Sequence, residues 1–313
     1  MKHSLKLLLL CIVLLQTNIT LFAVNRKTVR EIMDIEPTET IQLDDGTYER
    51  GYKVKNLPSK NMFGNFNSRK GGFIGENVQI EGRKIGKEIL LFTAFIGPDA
   101  KVYGNAQVLG NVQIDGEARV YGNAHIAENV RVSGHAKVYG SSYVTGSARI
   151  SGNARVSGNS CIYDNARISG NAWVFGKARV FGDSRILERA RIYGNAQIFG
   201  KAQVYGAARV ARNAKVSENA WVSGKALISD KAHIFGNAQV SENAWVSGEA
   251  QVYGEAQVYG DAHVYGNTRV YGNTLIYENL KTTSLWLTYY SHLLDTNLWK
   301  IHLNREAIES VRN

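Results

Sequence analysis

The residues whose types could do chemistry in the repetitive part of this 313-residue chain are four of its seven histidines and two regular series of cations. His125, His135, His233 and His263 each carry an imidazole, which titrates near neutral pH and can act as a general base or bind a metal. Lys101, Arg119, Lys137, Arg155, Arg191 and Arg209 fall on one series with a step of 18, and Arg131, Arg149, Arg167 and Arg185 on a second. Cations at a fixed interval attract an anionic polymer if the backbone brings them onto one line. Both kinds of chemistry therefore depend on what the chain does over that step.

A shorter period lies inside it. From Ile96 to Ile276 an Ile or Val recurs every six residues without a gap, 31 times. Four residues after each stands a small side chain, mostly Ala as at Ala106, Ala124 and Ala154, with Ser142, Thr268 and Val112 among the variants and Leu280 closing the series. Between the two come turn residues, typically Gly then Asn, as at Gly104-Asn105 and Gly266-Asn267. Residues two apart on a strand face the same way, so the small residue and the next aliphatic both point inward. Gly and Asn accept the positive φ that a sharp corner needs. Each hexad is then one short strand plus one corner, and the hexads stack as a parallel β-solenoid with strands about 4.8 Å apart.

Outward positions three hexads apart resemble one another. One series carries Lys101/Tyr103, Arg119/Tyr121 and Lys137/Tyr139, and a second carries Arg131/Ser133, Arg149/Ser151 and Arg167/Ser169. A third mixes Gln107, His125, Tyr143, Cys161 and Arg179, with aromatics at Tyr163, Phe181, Phe199, Phe235, Tyr253 and Tyr271. Three faces of distinct character predict a triangular section with three hexads per coil. The octapeptide Ser217 to Gly224 recurs unchanged at Ser241 to Gly248, a step of 24, which keeps a flattened coil of two hexads as the alternative.

The V-x-G-N-A-x pattern resembles the hexapeptide-repeat family over residues 96–280. That resemblance implies an all-β fold, a single-stranded left-handed parallel β-helix of about ten coils with caps at both ends. The chain looks closer still to bacterial and phage proteins built from G-N-A-x-V-x-G units. Their N-terminal block is loosely matched by Tyr52 to Leu57, Phe63-Gly64-Asn65, Gly71-Gly72-Phe73-Ile74 and Glu76-Asn77-Val78. One departure stands out: many family enzymes place Gly directly after the aliphatic, whereas here Tyr, Phe or Ser stands there and Gly follows one place on.

Family enzymes are mostly acyltransferases with a histidine base in a groove between trimer subunits, often under an extruded loop, and some are carbonic anhydrases with three converging zinc-binding histidines. The 31 hexads contain no insertion, and the neighbours taken one coil away from the four histidines are Tyr143, Asn153, Gln251 and Trp245, none a carboxylate or a second histidine. The expectation is no metal and no cofactor. His125 and His233 remain as candidates for a catalytic base, and solvated surface histidines are the expected alternative. The resemblance also implies a homotrimer, which no motif supports.

The cations say more. Residues 96–217 hold 16 Lys and Arg against 7 Asp and Glu, and residues 218–280 hold 3 against 7. Like charges about 4.8 Å apart repel by about 0.9 kcal/mol per pair even at the dielectric constant of water, before screening, and an anionic polymer laid along them relieves that cost. Lys101, Arg119, Arg131, Lys137, Arg149, Arg155, Arg167, Arg185, Arg191 and Arg209 are the expected ligand-binding residues, with the neighbouring tyrosines adding stacking and cation–π contacts. A plain solvated face is the alternative.

The rest of the chain bounds these readings. With 31 Gly, 3 Pro, 2 Cys, 44% apolar and 20% charged residues, it is neither a collagen, a disulfide-stapled miniprotein nor a disordered chain. A net charge of +10 favours anionic partners. Met1 to Lys6 with two lysines, the apolar run Leu7 to Leu15 and Leu21-Phe22-Ala23 have the layout of a signal peptide over residues 1–23, cleaved near Ala23, with an uncleaved anchor as the alternative. Residues 24–95 read as an N-terminal cap, with a hairpin centred on Asp44-Asp45-Gly46 and an irregular first coil from Ile80 to Phe95. Residues 281–313 read as a C-terminal cap with a short helix near Arg305 to Val311, its aromatics alternatively an oligomer contact. The expectation is a secreted or periplasmic, non-enzymatic scaffold for an acidic polysaccharide or lipopolysaccharide, with no specific nucleic acid. A hexapeptide-type acyltransferase is the alternative, weakened outside the cytoplasm by the absence of acyl-CoA there.

Overall fold

The structure, a computed structural model, describes residues 93–277 without a break, shorter stretches between residues 37 and 91, and the pairs 281–282 and 286–287. Every regular element among the described residues is a β-strand. The leader, the cleavage site near Ala23 and the helix expected at Arg305 to Val311 lie outside the described residues.

From residue 95 onward each hexad forms one strand of two or three residues that contains the aliphatic. Each strand pairs in parallel with the strand three hexads on: Val102 with Val120, Val108 with Ile126, Ile114 with Val132. A coil of two hexads would have paired Val102 with Ile114, so the flattened alternative is excluded. Three sheets result. The first face runs through Lys101, Arg119 and Lys137, the second through Gln113, Arg131 and Arg149, and the third through Gln107, His125 and Tyr143. Ten coils at about 4.8 Å make a rod roughly 50 Å long.

The inward positions behave as the six-residue period requires. Val120, Ala124, Ile126, Val138, Ala154 and Val156 are all fully buried, and the same holds for nearly every aliphatic and alanine up to Val270. Because each hexad contributes one large and one small side chain, the interior is lined by columns of Val or Ile alternating with Ala.

The displaced glycine is explained by the corner. Glycines such as Gly104, Gly122 and Gly140 have φ of 68, 71 and 73°, so the second residue after the aliphatic, not the first, takes the left-handed conformation. Glu128, Asp164, Glu188, Arg212, Glu218, Asp230 and Glu242 hold the same position with φ between 57 and 70°, where a β-carbon costs about 1–2 kcal/mol. Six of these seven are acids, and each has a task. Glu128, Asp164, Glu188, Glu218, Asp230 and Glu242 accept the N–H of the corner glycine one coil on, at 3.0 to 3.3 Å. No backbone carbonyl among the described residues takes those N–H groups, so the carboxylate offsets the strain by satisfying a donor.

At the N-terminal end Glu39–Gln42 pairs antiparallel with Tyr48–Lys55, which in turn pairs antiparallel with Lys70–Gly75 below the strand Lys101–Val102. The register partners Tyr52 and Ile74 are both fully buried. Glu49 accepts the Gly104 N–H at 3.3 Å, repeating the corner device with a cap residue. Between Gln79–Ile80 and Phe95–Ile96 the chain leaves the first coil as a hairpin, Gly82–Ile85 with Glu88–Leu91, whose second strand lies along Tyr48–Lys55. The rod therefore ends in added strands instead of a bare sheet edge, which would invite pairing with other chains. Beyond residue 280, Lys281–Thr282 and Trp286–Leu287 still pair with the first and third faces.

Candidate polyanion-binding faces

The structure places both cation series in register. Arg131, Arg149, Arg167 and Arg185 are consecutive cross-strand partners on the second face, all exposed. No ion pair joins any of the four to a carboxylate among the described residues. On the first face Lys101, Arg119, Lys137 and Arg155 run in the same way, Trp173 interrupts, and Arg191 and Arg209 continue.

Charge is sorted by position around the coil. Thirteen of the 31 residues that precede the aliphatics are Lys or Arg and none is Asp or Glu. The acids stand at the corners, several of them holding glycine N–H groups, where the left-handed turn accommodates them and the flat strand surface does not need them. Negative charge therefore neither interrupts the ladders nor lies between their rungs.

The two ladders differ in surroundings. The start of the first face borders a cleft of about 390 Å³ lined by Glu39, Lys53, Asp99, Lys101, Glu117 and Arg119, a mixed-charge site in which Lys53 pairs with Glu39 at 2.9 Å. Lys101, Arg119 and Lys137 are half-buried. The second-face ladder is fully open.

The expected aromatic contribution needs correction. Tyr103, Tyr121 and Tyr139 stack on one another with ring centroids 4.9 Å apart and planes within 7°. Tyr163–Phe181–Phe199 and Phe235–Tyr253–Tyr271 do the same on the third face. A ring one coil above another at this spacing covers its face. These residues therefore stabilise the stack and present edges outward, and their ring faces are not offered to a ligand in the way the sequence led us to expect.

The histidines also resolve into structural contacts. His135, expected to have no carboxylate one coil away, does have one: its Nδ1 lies 3.3 Å from Glu117 Oε2, on the coil N-terminal to it, opposite in direction to Asn153. Both side chains are exposed, as suits a surface ion pair. His125 Nδ1 lies 2.9 Å from Gln107 Oε1 and its ring stacks on Tyr143. His233 Nε2 lies 2.9 Å from Ser217 Oγ, and burial, with Lys215 nearby, holds its pKa below the usual value. That contact repeats a pattern: Trp173 Nε1 donates to Ser157 Oγ and Trp245 Nε1 to Ser229 Oγ over the same separation in the chain. His233 occupies the same place as these two indoles, against a serine that is itself buried. His263 meets Trp245 edge-on. Cys161, half-buried between Tyr143 and Arg179 on the third face, has its thiol pKa pushed up by burial.

A family model described as the YdcK beta solenoid repeat matches residues 148–161, 162–176, 190–206 and 256–272. This chain is a repeat β-helix protein. No curated protein matches it. The matched segments include Arg149, Arg155, Arg167 and Arg191, and each is about as long as one coil of the β-helix.

One residue of this β-helix was missed in the sequence because its copy concealed it. The duplicated octapeptide puts Trp221 on the second face and Trp245 on the first, since a step of 24 is one coil plus one hexad. Trp245 finds Ser229 sixteen places back and His263 one coil on. Trp221 finds Tyr205 sixteen places back, and its indole makes no hydrogen bond or ring contact among the described residues. It is 43% exposed, directly in line with the arginine ladder.

Proposed function

We propose that this protein is a rigid, non-enzymatic β-helix that binds an anionic polymer, such as an acidic polysaccharide or lipopolysaccharide, along its cationic faces. The observation that carries this reading is the ladder of Arg131, Arg149, Arg167 and Arg185 on four consecutive strands, exposed and free of intervening acids. Four guanidinium groups held in line by a rigid scaffold lose little freedom on binding a linear partner. The first-face ladder of Lys101, Arg119, Lys137 and Arg155, with Arg191 and Arg209 beyond, supplies a second, partly screened line. The six-residue period and three-sided coil support kinship with the hexapeptide-repeat proteins. The leader-like residues 1–23 support a secreted or periplasmic location, where surface polysaccharide is the abundant polyanion. Acyl transfer is the weaker reading, because His233 leans back onto the buried Ser217 in the place where Trp173 and Trp245 meet Ser157 and Ser229, a repeated structural contact.

Heparin chromatography tests the binding. The protein should be retained at low salt and released by about 0.5 M salt, where the screening length shrinks to about one strand spacing. Arg149→Glu combined with Arg167→Glu should elute markedly earlier. Absence of any salt-sensitive retention would remove the proposal.

A further inference from the structure

Resting on the polyanion reading, we infer that the second face is a composite strip for a linear acidic polysaccharide, with Trp221 as a ring-stacking subsite beside the arginine ladder. The strip runs Arg131, Arg149, Arg167, Arg185, Gln203, Trp221, Gln239 and Gln257, eight register partners on consecutive strands, about 34 Å long. Its first half offers a bidentate cation every strand, suited to carboxylates. Its second half offers three amides, each both donor and acceptor, suited to sugar hydroxyls. Between the glutamines stands one indole with no ring on its face among the described residues, next to a column in which Tyr259 and Tyr277 stack on one another.

These features select among polyanions. A pyranose presents an apolar C–H face that fits an indole, and in a linear polyuronate every sugar carries a carboxylate, so a chain laid along the strip offers repeated carboxylates to the repeated arginines. A nucleic acid strand in a duplex carries phosphates about 3.4 Å apart and drifts out of step with rungs about 4.8 Å apart. Non-specific single-stranded nucleic acid sites use a series of stacking aromatics, and this strip has one. A lipid headgroup would use the arginines and leave Trp221 and the glutamines idle.

The test is titration of the full chain with three probes: an oligogalacturonate long enough to span the strip, a neutral oligosaccharide of the same length, and oligothymidylate of similar contour length. The variants are Trp221→Gln, which continues the glutamine run, Trp245→Gln on the first face, and Arg149→Gln with Arg167→Gln. The uronate should bind more tightly than both other probes, Trp221→Gln should weaken it about tenfold, and Trp245→Gln should leave it unchanged. Circular dichroism of each variant keeps a folding defect distinguishable. Equal affinity for uronate and oligothymidylate, with Trp221→Gln indistinguishable from the parent, would overturn this inference and leave the arginine ladder as a general polyanion site. Loss of all binding in the arginine variant supports the ladder, and failure of the parent chain to bind any charged probe would remove both proposals.

Discussion

Ser142, Ser160 and Ser184 occupy the inward position that alanine fills in most hexads, and their hydroxyls are buried with no hydrogen-bond partner among the described residues. Thr268 and Thr274, at the same inward position in later coils, donate to Tyr265 O and Tyr271 O at 2.7 Å. A buried hydroxyl left unsatisfied costs about 1–3 kcal/mol. Replacing it with alanine removes that cost and leaves an oxygen-sized gap, worth a few tenths of a kcal/mol at about 24 cal/mol per Å³. Ser160→Ala should therefore stabilise the rod by about 1–2 kcal/mol, with a similar gain at Ser184. Ser184 sits at a different corner, so those two gains should add, whereas Ser142 and Ser160 are one coil apart in the same column and can couple. Since a solenoid need not unfold as one unit, the sensitive assay is native-state hydrogen exchange of the amides that pair around the site, such as Cys161 and Tyr143, backed by the thermal midpoint. Slower exchange and a higher midpoint are expected. Faster exchange in Ser160→Ala would show that the hydroxyl supports the coil, and would refute the view that the inward column is purely apolar.

Two more predictions follow from the same geometry. Ala154→Leu should overpack the closed interior and lower stability by about 1–3 kcal/mol, while Arg155→Gln, one residue on and exposed, should leave the urea midpoint almost unchanged; equal losses would contradict the inward and outward assignment. His233, whose pKa is lowered by burial, binds its proton less readily folded than unfolded, so its contribution is present above the ordinary histidine pKa and is lost as pH falls below it toward the folded value. His233→Gln should flatten that part of the stability profile, and an NMR titration placing His233 above the ordinary histidine value would reverse the sign.

The solenoid was legible because its signal is redundant: the aliphatic at each sixth residue and the small residue four places later specify the same inward column many times over, and the alignment of Arg131 with Arg149, Arg167 and Arg185 needs only a coil of three hexads. What stayed hidden depends on pairs at other separations. The Ser217–His233 and Ser229–Trp245 contacts fall two places short of a full coil because a side chain leans back over the residue that follows the aliphatic on the coil before. The stacked tyrosines look like free platforms in a sequence, and only the ring spacing shows their faces occupied. The carboxylates of Glu188 and Glu242 read as ordinary surface charge, since nothing in a linear string marks the glycine N–H waiting one coil further on.

The octapeptide shared by Ser217 to Gly224 and Ser241 to Gly248 shows how such a molecule can change. Any insertion or deletion in multiples of six leaves the dry interior intact, yet only multiples of three hexads return a side chain to its own side of the rod. Losing one hexad between Arg149 and Arg167 would be silent in the core and would swing every later residue by a third of a turn, splitting the arginine column across two sides. Duplication by hexads is thus a mutational gear that turns the exterior against a fixed axle, and Trp221 and Trp245 are one tooth apart.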